Sequence, residues 1–179
     1  MANGQEILEF WREIGPMGWW KKNDIIDKRI VDEFGGLHAQ AVAGELSDWE
    51  NDPDDCLALV LILDQFSRNM FRGDPATFAH DAQGLATAKA AIAKGYDKEA
   101  DDSLATFFYL PLMHSEELED QEECVGIFQA IDKPDNLKAA IEHRDIIKQF
   151  GRFPHRNEVL GRDTTHEEQA FLDGGGFKG

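Results

Sequence analysis

Positive charge is what this chain has least of: 18 Lys and Arg stand against 35 Asp and Glu, a formal net charge of -17. Such a surface repels phosphate backbones, which excludes broad nucleic-acid binding and docking on anionic membranes. A local basic pocket for one small anion is still allowed, because salt confines each charge to roughly 8–10 Å. Cysteine is nearly absent. Cys56 and Cys124 are isolated, which fits two buried apolar thiols in a reducing cytoplasm better than a disulfide or a nucleophile. The longest apolar run, Cys56 to Leu63, is too short to cross a bilayer. Gly4-Gln5-Glu6 leads into an amphipathic pattern instead of the apolar core of a signal peptide. A cytoplasmic location with no membrane partner is expected.

Local motifs are scarce as well. There is no Walker loop or GxSxG, and no cofactor is expected. His80-Asp81 resembles the metal-binding dipeptide of all-helical phosphohydrolases, with His38, His114, His143 and Asp145 available as further ligands. No HExxH or CxxC spacing accompanies it, so no metal site is assigned. No segment alternates with period two, and no Asn-Gly hairpin signal separates strand-like runs.

What the chain does have is helical periodicity throughout 179 residues, enough for a single domain over 1–179, with 174–179 as a flexible tail. Asn3 with Glu6 resembles a capping box for a first helix, which Gly15-Pro16 ends. Trp19 and Trp20 then fold back over the core. Ile26, Ile30, Phe34, Leu37 and Ala41 mark a second helix over 24–44, which Gly35-Gly36 threatens to break. Asp52-Pro53 opens a helix that is apolar almost all round from Cys56 to Phe66. Asp74-Pro75 repeats that signal before an Ala-rich helix to Lys94. Further helices are expected over 103–119, with Pro111 kinking it, and over 122–131, 135–150, 154–160 and 165–172, the last with its own capping box, Thr165 with Glu168. The fold class is therefore all-α: antiparallel helical hairpins, as a bundle or a stacked array.

The basic residues concentrate in one place. Lys138, Arg144, Lys148, Arg152, Arg156 and Arg162, with His143 and His155, face only Glu142, Asp145 and Glu158. The turn from Gly151 to Asn157 holds two arginines, a histidine, a phenylalanine and a proline, where a simple reversal would use Asn, Ser, Asp and Gly. Arg152, His155, Arg156 and Asn157 therefore form one wall of an anion site. Arg68 and Arg72 share a helix face with Asp64 at spacings of four, and offer planar forks to a carboxylate or phosphate if Asp64 does not claim them. His114 and His143 each lie where an apolar helix face runs out. They are either core histidines or members of the site.

Leu63 to Asn69, Phe71-Arg72-Gly73, Tyr109 to Glu116, His143 to Asn157 and Leu160-Gly161-Arg162 resemble the bacterial family catalogued as domain of unknown function 924. Phe10-Trp11, Gly44-Glu45-Leu46 with Trp49, and Phe171-Leu172 extend the similarity over nearly the whole chain. The resemblance implies an array similar to tetratricopeptide folds and no established activity. Ser67 stands where the family has proline, which leaves the Asp64–Arg68 geometry open. Gln149 stands where it has arginine, and His80 lies outside the family pattern while Asp81 lies within it.

Two functions follow as expectations. One is a binding module for a small anionic ligand or acidic peptide, using Arg68, Arg72, His114, His143, Arg152, His155, Arg156 and Asn157. The other is a hydrolase, with or without a metal, in which His114 or His155 is acid or base and Glu116 orients it. A third arrangement has these groups satisfying one another in a closed structural network.

Overall fold

Asn3 starts the first helix by accepting the Glu6 N–H on its side chain, and from there the chain is helical wherever its periodicity is. The computed structural model describes residues 3–101 and 103–177. The helices are α1 Gly4–Trp19, α2 Asp24–Val42, α3 Pro53–Leu61, α4 Ser67–Met70, α5 Asp81–Lys94, α6 Leu110–His114, α7 Leu118–Ala130, α8 Pro134–Phe150 and α9 His166–Asp173. No strand occurs among the described residues. The contacts divide the chain into two units: Met1–Arg72 with Ala76–Pro111, and Gly73–Pro75 with Leu112–Gly179.

In the first unit α1 packs on α3, α3 on α5, and α2 on α4. Phe10, Trp11, Phe34, Phe66 and Phe107 form its aromatic centre, each 5% exposed or less. Gly15 breaks α1 as expected, at a φ of 59°, but a further turn continues through Pro16 to Trp19. Trp19 donates to the Trp11 carbonyl at 2.7 Å and closes over the core. Trp20 stacks on Phe107 yet stays 55% exposed. Gly35-Gly36 does not interrupt α2, because packing of Phe34, Leu37 and His38 outweighs the weak helix propensity of two glycines.

The buried central segment is helical as expected, with one addition. After α3 the chain takes a π-helical turn over Ile62–Phe66 before α4. Ser67 donates its hydroxyl to the Leu63 carbonyl within that turn, at 2.7 Å. The Asp74-Pro75 signal starts only a 3-10 turn, Pro75–Thr77, and α5 waits until Asp81. The expected helix over 103–119 is likewise divided, into a 3-10 turn at Ala105–Phe108, α6 and α7.

In the second unit α7 and α8 form an antiparallel hairpin. Their packed faces carry Cys124, Val125 and Phe128 from α7, and Ala140, Ile146 and Ile147 from α8. Thr165 and Glu168 complete a reciprocal capping box on α9. Gly174, Gly175 and Gly176 are tied back to α9 through the carbonyls of Ala170, Leu172 and Phe171. Residues 178–179 of the expected tail lie outside the described residues.

Candidate functional site

The basic turn begins where α8 must stop. Gly151 takes the left-handed conformation, φ 69°, and donates to the Ile147 carbonyl, a helix ending that favours glycine. Pro154 then opens a 3-10 turn through Arg156, and Arg152 and Arg156 go to different partners.

Arg152 enters a closed network. Its Nε and Nη2 donate to both oxygens of Glu168, at 2.6 and 2.9 Å, and Nη2 also reaches the Asp163 carbonyl. Glu168 is 2% exposed and further accepts from Asn157 and from the Thr165 N–H. Hydrogen bonds from Arg152 hold its carboxyl down at about 2, against the opposing effect of burial. Asn157, wholly buried, passes the network on by accepting from Arg162 Nε at 2.9 Å. Arg162 forks onto Glu116 at 2.8 and 3.1 Å, and the Phe153 N–H donates to the same carboxylate. Burial pushes the Glu116 carboxyl up; Arg162 and the Phe153 N–H more than offset it and leave the group below its ordinary value.

Histidines gather around the Phe153 ring. His143 donates Nδ1–H to the Ala139 carbonyl at 2.8 Å, which leaves Nε2 as an acceptor. Its ring lies 5.5 Å from Phe153, and His155 lies 5.6 Å from the same ring. The Arg156 guanidinium sits 4.6 Å over Phe153 and donates to the His114 carbonyl at 2.8 Å. Burial is the main reason that His143 and His155 both fall to about 4, with the charge of Arg156 pushing the same way. His114 also bears electrostatically on both. Four candidates therefore form one group: His114, His143, His155 and Arg156. Within it, His155 Nδ1 is buried with no hydrogen-bond partner among the described residues. Phe177 covers the imidazoles, 4.5 Å from His143 and 5.1 Å from His155 between ring centres.

Arg68 and Arg72 belong to the first unit, where internal carboxylates hold them. Arg68 meets Asp64 at 2.9 Å and forks onto Asp81 at 3.0 and 3.1 Å. Burial opposes its charge, but Asp64 and Asp81 more than compensate, so the guanidinium stays protonated. Helix persists only to Met70, and Arg72 turns instead to Asp27 at 2.6 Å. Beside them His38 Nε2 meets Ser67 Oγ at 2.8 Å. Since Ser67 donates to Leu63, it accepts from an Nε2–H of His38 and is not poised as a nucleophile. Among the described residues no three His, Cys, Asp or Glu side chains are placed to hold a metal ion.

Glu168, Arg162 and Phe177 escaped the sequence reading as site residues. Glu168 was visible only as the end of a capping box, and Arg162 only as part of a shared motif. Nothing local to Phe177 says that it meets two histidines.

Comparison with known proteins adds the family. The model of the bacterial proteins of unknown function called DUF924 matches residues 7–176. A solved structure of a protein of unknown function from Agrobacterium tumefaciens is similar, with 39% sequence identity and a TM-score of 0.92, covering 96% of this chain and 97% of that one. No curated protein matches. With nearly its whole length matched and its all-helical fold shared, this chain belongs to the DUF924 family.

Proposed function

We propose that this chain is a binding module whose second unit holds a small anion, a phosphate or a carboxylate such as an acidic peptide end. The anion lies between the Arg156 guanidinium and the imidazoles of His114, His143 and His155. The observation that carries this reading is His155 Nδ1, buried without a hydrogen-bond partner among the described residues in the same group as Arg156. A buried polar atom of that kind calls for a ligand atom or a water. The guanidinium supplies charge and planar donors. His143 Nε2 accepts, which suits the hydroxyl of a singly protonated phosphate. Arg152 and Asn157 act as the frame that holds the turn, and Arg68 and Arg72 as framework of the first unit. We place the module in the cytoplasm, where Cys56 and Cys124, raised by burial to about 11 and about 12, stay reduced thiols. Its hairpins are read as a tetratricopeptide-like array, a fold class that suits binding by analogy alone.

Calorimetric titration with inorganic phosphate and with acetate tests the proposal. Binding should tighten between pH 8 and pH 5, as a bound anion draws a proton onto an imidazole. Arg156→Gln should weaken it by about tenfold or more, equivalent to roughly 1.4 kcal/mol. Affinity indifferent to both pH and Arg156→Gln would sink the reading.

A further inference from the structure

The corner between α1 and α2 leaves large apolar side chains in water. Met17, Trp20 and Ile25 are 74%, 55% and 75% exposed, more than any other large hydrophobic among the described residues. Trp20 is held in place there: its ring lies parallel to Phe107 at 5.7 Å and edge-on to Trp19 at 6.2 Å. Gly18 lets the last turn of α1 close on α2, since a Cβ there would come within 2.9 Å of Ile26 Cδ1. A fixed aromatic ring with an open face is suited to anchor a protein contact. Charge singles out the same corner. From Ile14 to Asn23 the chain carries Lys21 and Lys22 and no Asp or Glu, against a net charge of -17 for the whole. Lys22 meets Asp24 at 3.2 Å on an exposed surface, and Lys21 has no ion pair among the described residues. The fitting partner is therefore apolar and acidic at once.

The chain itself carries such a segment at the start of α7. Leu118 is 40% exposed, the highest value for a large hydrophobic of the second unit. Glu117 and Glu119 flank it, both exposed and neither in an ion pair among the described residues. No Lys or Arg occurs from Ser115 to Asp132. We infer that the α1–α2 corner of one copy takes up the Glu117-Leu118-Glu119 turn of a second copy. Leu118 packs on the open face of Trp20 beside Met17 and Ile25, while Lys21 and Lys22 meet the two glutamates. Unlike surfaces meet, so the contact is head-to-tail and can repeat from copy to copy. It survives the repulsion between two acidic chains because physiological salt confines each charge to about 8 Å. Three side chains cover far less than the roughly 800 Å² per partner of a stable interface, so the association is weak and reversible.

Sedimentation velocity of the full chain provides the test, from about 10 µM to about 1 mM protein at about 0.15 M salt. The wild type should grow reversibly past the monomer over that span. Ile25→Ser alters one exposed side chain, and Lys21→Glu with Lys22→Glu alters two. Each variant should keep its helical circular dichroism and weaken the association by about tenfold or more. Glu117→Lys with Glu119→Lys should weaken it as well. All four charge reversals in one chain restore opposite charge across the contact and should restore the association. A wild type that stays monomeric at about 1 mM overturns the inference, whatever other protein the corner holds. Association unchanged by the Ile25 and lysine variants overturns the corner as the docking surface. Association lost in the lysine variant and not regained with all four reversals overturns the α7 turn as its occupant.

Discussion

Two sets of basic residues around Phe153 have different neighbours. On one side, Arg152 and Arg162 each fork onto a carboxylate, and Asn157 links the two pairs into a closed set. On the other, Arg156 lies over the Phe153 ring and donates to the His114 carbonyl beside His143 and His155, with the Glu116 carboxylate near enough to act on Arg156 and His155. The basic turn thus divides its own side chains between framework and candidate site. Arginine content alone says nothing about which is which. For Arg152 and Arg162 the partner does, because a fork already filled by Glu168 or Glu116 has little left to offer a ligand.

The contrast can be attacked at its strongest point. Glu168→Ala strips the partner from Arg152, Asn157 and the α9 cap at once. Breaking a buried, hydrogen-bonded pair from one side should cost about 3 kcal/mol, somewhat lessened because Arg152 is partly exposed. Urea unfolding measures it, and a loss under about 1 kcal/mol would mean that the network is not the frame. Acidification attacks the other side. His143 and His155 have folded values of about 4, below the ordinary 6.5, so the unfolded chain binds their protons first as pH falls. Stability should therefore be full above about pH 6.5 and decline from there to about 4, by up to about 1.4 kcal/mol per pH unit for each histidine. The lowered carboxyl of Glu168 adds a loss in the same direction below its ordinary 4.5, continuing towards about 2. Melting at pH 7, 6 and 5 checks the histidine part, and His143→Gln should flatten the profile. The smallest effect belongs to the first unit. Arg72 pairs with Asp27 while 39% exposed, so Arg72→Ala should change stability by about 1 kcal/mol or less. A larger loss would show that even its surface forks are framework.

The partition explains what could be read in advance. The Asp64–Arg68 pair was legible because it spans one helical turn. The capping box at Thr165 was legible for the same reason. The Arg152–Glu168 bond was not, since sixteen residues and a reversal separate the two groups. Nor was the Glu116–Arg162 fork, which joins positions 46 apart. The π-helical turn at Ile62–Phe66 also left no local mark, as its residues look like an ordinary buried helix.

By itself the sequence determined most of the helices and the caps at Asn3, Asp52 and Thr165. It also placed the apolar centre and the stretch where positive charge collects. Each of these depends on neighbours within about one helical turn, where residue type and spacing suffice. Tertiary structure alone decided that Arg152 and Arg162 fork onto Glu168 and Glu116 and that burial keeps His143 and His155 neutral. It also put Phe177 over the imidazoles. Those outcomes depend on burial and on partners brought from distant positions, and both arise only once the chain has packed.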